Sequence, residues 1–280
     1  MRTARWRAVS ATSRPSARAA AELLAGRGAL LPRRLAERLG HYAFRLFLRG
    51  AILRPRGFRP GEATRYLRAE QASAMAEELV ELGIARRLPG GRYRLGRPAR
   101  SFGGTLEWYL ARELRRRLGL DVAAAVRSGA PGVGGDLDLV AAAEGRLAYL
   151  ELKSSPPKHV DRAELGAFLR RIDAVRPHLA VLVVDTALRL GDKVVPDLAR
   201  ELALRGRAVA PRRARREIWA FGPHLYAVNA RQDLVENVRV ALSLGLRALA
   251  PEVVPPAPLA APPGTRRAAA RGAPDRGSAV

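Results

Sequence analysis

The chain of 280 residues contains no cysteine, which removes thiolate zinc sites, disulfide scaffolds and cysteine nucleophiles in one step. With no oxidising compartment implied, a cytoplasmic address is expected. Lysine is almost as scarce: Lys153, Lys158 and Lys193 are the only three among 50 basic residues. A chain that otherwise uses arginine for every cation needs a particular reason to place a lysine. No run of about 18 apolar residues exists, and the best N-terminal candidate, Ala19 to Leu31, is interrupted by Glu22 and Arg27, so neither a membrane span nor a secretory segment is expected. The Arg-rich, acid-poor N-terminus also has the composition of an organelle transit peptide. There is no glycine-rich loop ending in Gly-Lys-Ser/Thr, which excludes an ATP-driven motor built on that loop.

What the chain has in excess is positive charge. Fifty Lys and Arg face 26 Asp and Glu, a formal net charge of +24. Residues 1–100 hold 22 basic and 7 acidic side chains, 22 − 7 = +15, and residues 101–250 hold 24 and 17, or +7. That concentration points to a polyanion partner, nucleic acid before an anionic membrane face. The length allows one large domain or two small ones. Residues 1–32 are expected to form a basic flexible arm, helical at most around Ala17 to Leu24. The Pro-, Ala- and Arg-rich segment 251–280 is expected to be disordered.

Between them the pattern changes once. From Arg33 to Leu53 apolar residues recur at helical spacing (Leu35, Leu39, Tyr42, Leu46) until Pro55, Gly57 and Pro60. A short helix over Gly61 to Leu67 follows, and a longer one from Ala69 to Leu82 with Ala72, Met75, Ala76, Leu79 and Leu82 on one face; Gly83 ends it. Ile84 to Leu88 and Arg92 to Leu95, around Pro89-Gly90-Gly91, predict a hairpin. Helix, helix, helix, hairpin over 33–98 resembles a winged helix-turn-helix. The resemblance implies a helix in a major groove and Arg86, Arg87, Arg92 and Arg94 of the hairpin on the phosphate backbone. The plain alternative is a protein-binding or structural module with a solvated basic face.

Residues 101–250 predict an α/β domain with a mixed sheet: helices over Leu106–Leu118, Asp161–Val175, Val194–Leu204 and Leu234–Leu249, and β-runs over Asp136–Ala143, Leu147–Lys153, Leu179–Val184 and Ile218–Val228. Four charged side chains interrupt two apolar β-runs, in Asp136-Leu137-Asp138 and Glu151-Leu152-Lys153. Residues two apart share a face of a strand. A two-residue turn at Glu144-Gly145 sets facing positions that sum to 289, so Asp138 opposes Glu151 and Asp136 opposes Lys153. Facing carboxylates repel, and a divalent cation between them resolves the conflict. Oxygen ligands without cysteine or clustered histidine favour Mg²⁺ or Mn²⁺, whose chemistry is metal-assisted phosphodiester hydrolysis with Lys153 at hand.

Asp138, a thirteen-residue interval and then Glu151-Leu152-Lys153 resemble the PD-(D/E)XK nuclease superfamily, the restriction-endonuclease-like fold. That resemblance covers roughly residues 102–230. It implies Asp138, Glu151 and the carbonyl of Leu152 as metal ligands, Lys153 on the nucleophile side, and Glu107 as a further acid from the preceding helix. Leu137 stands where the family name has proline, Asp136 offers a second carboxylate, and the glutamine often found on the helix after the lysine strand is missing; Lys158, His159 and Asp161 open that helix instead. The expected function is a Mg²⁺-dependent deoxyribonuclease with endonuclease chemistry on duplex or branched DNA, and a homodimer is allowed by the need to cut two strands. The alternative is a DNA-binding regulator whose nuclease-like domain is inactive; the same chemistry on RNA is a third reading. Asp185 reads as an ordinary strand end, the run from Arg205 to Arg216 as either a backbone grip or a solvated loop, and the four histidines show no ligand spacing.

Overall fold

The computed structural model describes residues 30–97, 99, 101–127, 135–143 and 145–249. Residues 1–29 of the expected basic arm, the tail, Gly132–Gly134 and Glu144 fall outside them, whereas Leu30–Pro32, expected as the end of that flexible arm, are helical and Leu31 is buried. The chain is α/β with a seven-stranded mixed sheet. Four helices come first: α1 (Leu30–Leu39), α2 (Tyr42–Ile52), α3 (Pro60–Ala63) and α4 (Ala69–Glu81), followed by the hairpin β1 (Ala85–Leu88) and β2 (Arg92–Leu95). After α5 (Gly103–Leu118) come β3 (Asp121–Arg127), β4 (Asp136–Ala143), β5 (Arg146–Lys153), α6 (Arg162–Val175), β6 (Leu179–Val184), α7 (Val194–Ala203), β7 (Arg212–Arg215), β8 (Ile218–Ala220), β9 (Leu225–Asn229) and α8 (Leu234–Ala248).

The sheet order is β3-β4-β5-β6-β9-β8-β7, and only β5, β6 and β9 run parallel. β6, Leu-Ala-Val-Leu-Val-Val, is buried along its whole length, as a central strand covered on both faces must be. One face carries α5 and α8, whose Leu106, Leu110, Leu114, Val238 and Leu242 pack with Leu150, Val181 and Val228. The other carries α6 and α7, through Phe168, Leu169, Val195 and Leu198 against Tyr149, Leu182 and Ala227. Lys153 pairs with Val184, and Val184 with Asn229, so the three parallel strands end level. The antiparallel neighbours bring the start of β4 and the β7–β8 turn to that same edge.

The N-terminal helices share a core with the first face, since Leu35, Phe44, Phe47, Leu48 and Leu79 belong to the same apolar cluster as Leu106 and Val181. Ala99, between the segments 33–98 and 101–250, and Phe102 just after it are buried in that same core. The junction also holds an ion cluster. Arg45 is 1% exposed and Asp185 0%; Arg45 Nε donates to Asp185 Oδ1 at 3.0 Å, and Arg49 Nη2 to Oδ2 at 2.8 Å. Arg45 Nη1 also donates to the Leu39 carbonyl at 2.6 Å, at the end of α1. Asp185 is thus more than a strand end.

Three differences from the sequence expectation have local causes. The helix expected over 33–53 is two helices, because the chain turns at Gly40 and His41 adopts extended geometry ahead of α2. The β-run over 218–228 is two strands, broken where Gly222 takes φ +79°. β3 and β7 were not expected: Val122-Ala-Ala-Ala-Val126 lacks large residues at alternate positions, and β7 is an arginine run at the sheet edge.

Removing one partner from a buried ion cluster strands the others in a low-dielectric interior. Asp185→Ala should cost about 3–5 kcal/mol, read as a lowered urea midpoint; a loss below about 1 kcal/mol, the surface-pair range, would show that the cluster is solvated.

Candidate active site

β4 and β5 pair as Leu139–Leu150, Val140–Tyr149, Ala141–Ala148, Ala142–Leu147 and Ala143–Arg146, every pair summing to 289. Gly145, at φ +72°, supplies the left-handed residue that so short a connection demands. The pairing ends at Leu139–Leu150, one step before Asp138 meets Glu151. There the Leu152 amide donates to Asp138 Oδ2 at 2.7 Å. A side-chain carboxylate takes the place of a ladder carbonyl, and the two strands part at the acids.

Glu151, 2% exposed, is surrounded by donors. The Tyr149 hydroxyl donates to Oε2, Arg171 Nη1 donates to Oε1 at 3.0 Å and Oε2 at 2.9 Å, and Lys153 Nζ lies 3.1 Å from Oε1. Lys153 also donates to Glu164 Oε1 at 3.1 Å. Glu164 and Arg171 are seven residues, two turns, apart on α6 and so lie on one face of it. Burial pushes the Lys153 ammonium down, but Glu151 and Glu164 outweigh it and hold the lysine above its ordinary value. Lys153 is a cation at neutral pH, able to donate and to neutralise charge but not to act as a base.

The other two acids are less well compensated. Burial, then Glu151, push Asp138 up to about 7, against the opposing pull of the Leu152 amide. Glu107, in α5, is pushed up to about 8 by burial and by the charges of Asp138, Asp136 and Glu151. Among the described residues Glu107 has no hydrogen-bond or ion-pair partner. Asp136 does not reach Lys153 as the register alone predicts; it lies across from Arg127, 3.6 Å from its Nε, on the β3 side. Ala125 of β3, at φ +48°, lies between the Ala124–Leu139 and Val126–Leu137 pairs and so faces Asp138. A left-handed alanine inside a strand is a strained conformation of the kind that collects at functional sites.

Glu107, Asp138, Glu151 and Lys153 are therefore brought to one place, with the Leu152 backbone beside them. Among the described residues no group of three or more acidic or histidine side chains is placed to hold a metal ion, and the Glu151 oxygens face Tyr149, Lys153 and Arg171. The donor chemistry nonetheless fits a hard cation: two carboxylates hold protons that a divalent ion would displace. Glu164, Arg171 and Tyr149 were missed in the sequence. The helical spacing of Glu164 and Arg171 was the available signal, but only the placement of α6 over β5 gives it meaning.

The hairpin arginines divide into two pairs. Arg87 is paired to Glu77 of α4, and Arg92 donates to the Gly57 carbonyl at 3.1 Å. Arg86 and Arg94 sit directly opposite each other across β1 and β2 and have no partner among the described residues. Helix α4 itself carries Glu70, Glu77, Glu78 and Glu81 and no cation.

No protein-family model matches the chain, and no curated protein does. A solved structure, protein VC1899 from Vibrio cholerae, is similar at 18% identity and a TM-score of 0.45, covering 82% of this chain and 57% of that one. The chain thus spans little more than half of that protein's length, and the likeness carries no argument. Among the described residues no helix is long and apolar enough to cross a membrane.

Because Glu107 and Asp138 keep their protons to about 8 and about 7, the folded metal-free protein binds more protons than the unfolded chain between the ordinary carboxylate range, about 4, and pH 8. Their contribution to stability is therefore lost as pH rises through that window. Glu107→Gln should raise the metal-free melting temperature by roughly 2–4 °C at pH 8 and by much less at pH 5. Thermal melts at the two pH values, with and without Mg²⁺, check this; Mg²⁺ should stabilise the wild type more at pH 8.

Proposed function

We propose that this chain is a metal-dependent nuclease that hydrolyses phosphodiester bonds of DNA. The observation that carries the reading is the parting of β4 and β5 at two facing acids, with half-buried Asp138 and Glu107 both pushed up beside a cationic Lys153. A purely structural ion network would be neutral; this one is short of positive charge on the Asp138 side. Mg²⁺ or Mn²⁺ would be held by Asp138, Glu151 and the Leu152 carbonyl, with Glu107 as a further acid, and when bound would polarise a phosphodiester and acidify a water.

The chain's own residues supply the remainder. Lys153, fixed between Glu151 and Glu164, presents an ammonium to the developing negative charge or to the attacking water. Arg171 pairs with Glu151 in a buried place, and Tyr149 orients it as a neutral donor, its hydroxyl pushed well up by burial and by Glu151. The helix order α2, α3, α4 and the β1–β2 hairpin, tied by a bridge between Phe58 and Tyr93, supports the winged-helix reading. Its DNA contact would come from the hairpin: Arg86 and Arg94 form an unpaired cation pair, whereas the four glutamates of α4 would repel a phosphate backbone in the groove.

One observation favours the second reading, a DNA-binding protein with an inactive nuclease-like domain: both Glu151 oxygens are engaged. The two readings separate on Asp138→Ala and Glu151→Ala. Cleavage of linear, nicked and four-way-junction DNA in Mg²⁺ should fall roughly 10²-fold or more with DNA affinity unchanged; wild-type protein that cuts none of them, or variants that cut equally well, would sink the nuclease assignment. Arg86→Glu with Arg94→Glu should weaken DNA binding without changing Mg²⁺ binding, measured by anisotropy and calorimetry.

A further inference from the structure

A shallow cleft of about 240 Å³ is lined by Arg213, Arg216, Glu217, Arg231 and Gln232. Three guanidiniums meet one carboxylate there, and the carboxylate is already consumed: Glu217, 4% exposed, accepts from Arg213 Nη2 at 2.7 Å and from the Leu190 amide at 3.0 Å. Arg213 is further held over the Trp219 ring at 5.0 Å. Arg216 and Arg231 have no ion pair and no side-chain hydrogen bond among the described residues. The cleft therefore keeps uncompensated positive charge on a fixed floor.

Its backbone is unusual in the same place. Among the described residues four non-glycines have positive φ, and two of them, Arg216 at +49° and Gln232 at +75°, line this cleft. Arg216 opens the two-residue β7–β8 turn, since Arg215 pairs with Ile218, a position where glycine is the unstrained choice. An arginine there costs stability, which points to a use for its side chain. A third of the four, Ala125, faces Asp138 of the candidate active site.

The two places share an edge of the sheet. Lys153, Val184 and Asn229 end level on β5, β6 and β9; Arg231 follows Asn229, and the Arg216 turn abuts the end of β9 through β8. At about 4.8 Å per strand the cleft lies roughly 10–20 Å from β5. At about 3.4 Å of helix axis per nucleotide that is roughly three to six nucleotides along a strand.

We propose that the Arg213–Arg216–Arg231 cleft is a second phosphate site, holding a backbone phosphate of the same nucleic acid whose scissile phosphate lies at Asp138 and Lys153. The inference rests on the nuclease reading for the identity of its ligand, but the cleft can be tested alone. The probe is a labelled duplex of about 20 base pairs, titrated by anisotropy in EDTA over a range of salt. Arg216→Gly with Arg231→Ser should weaken binding roughly tenfold, and the slope of log K against log salt should shrink by about 0.9 for each phosphate lost. Arg216→Gly alone should bind more weakly yet melt no lower than the wild type, because glycine relieves the turn; a merely structural arginine would leave binding unmoved. Inorganic pyrophosphate, titrated in parallel, identifies the source: binding lost in the double variant while duplex affinity and slope hold would make this a free-anion site and overturn the proposal, as would unchanged affinity in both arms. If the wild type cuts no substrate but the variants lose duplex affinity, the nuclease reading falls and the cleft stands; cleavage with unchanged affinity gives the reverse.

Discussion

Asp185 is the residue on which the rest of the arrangement turns. It follows β6, its amide donates to the Lys153 carbonyl at 2.8 Å and so extends the β5–β6 ladder, and its carboxylate holds Arg45 and Arg49 of α2. The residue whose amide registers the end of β5 thus also holds α2 through its side chain. Arg49 lies over the Phe102 ring at 5.3 Å, at the entry to the helix that carries Glu107. Buried ion clusters return little net stability, since desolvation offsets most of their attraction. What this cluster returns is position: α2, the end of β5 and the start of α5 are set against one another through one carboxylate.

The charges at the strand ends follow from that placement. Glu151 is well satisfied, while half-buried Asp138 and Glu107 beside it are both pushed up by burial and by neighbouring acids. A proton, or on the proposed reading a divalent cation, would complete the balance there. Lysine rather than arginine at position 153 suits the geometry, because a compact ammonium reaches Glu151 and Glu164 together at 3.1 Å where a planar guanidinium needs more width. Lys193 answers the same compositional question with a plainer reason: it bridges the Val160 carbonyl and Asp197.

Much of this was legible in the sequence because strand physics is local. Alternation in residues 136–143 and 146–153 and a glycine at 145 were enough to set the register at 289, and so to predict that Asp138 and Glu151 face each other. The uninterrupted apolar run of β6 announced a central strand. What could not be read was anything that depends on layers meeting. Arg171 and Glu164 become site residues only when α6 lies over β5, and Asp185 becomes a clamp only when α2 reaches the sheet; a sequence with about 47 arginines gives no sign of which few are buried. β3 was missed because its small alanines carry almost no period, and its role is to put Ala125 across from Asp138.

The distribution of positive charge also reads differently once the helices are in place. Composition assigns most of it to residues 1–100, and by analogy to a helix in a groove. Yet α4 is acidic throughout, with Arg38 and Arg87 spent on Glu78 and Glu77. Among the described residues several cations have no partner, and Arg86 and Arg94 on the outward face of the hairpin and Arg216 and Arg231 at the sheet edge are four of them. α2 meets that edge at Asp185, between the acids of β4–β5 and the arginines beyond β9. On the proposed reading, a polyanion reaching both the acids of β4–β5 and the arginines beyond β9 would run along the strand ends where the Asp185 cluster holds α2 against the sheet.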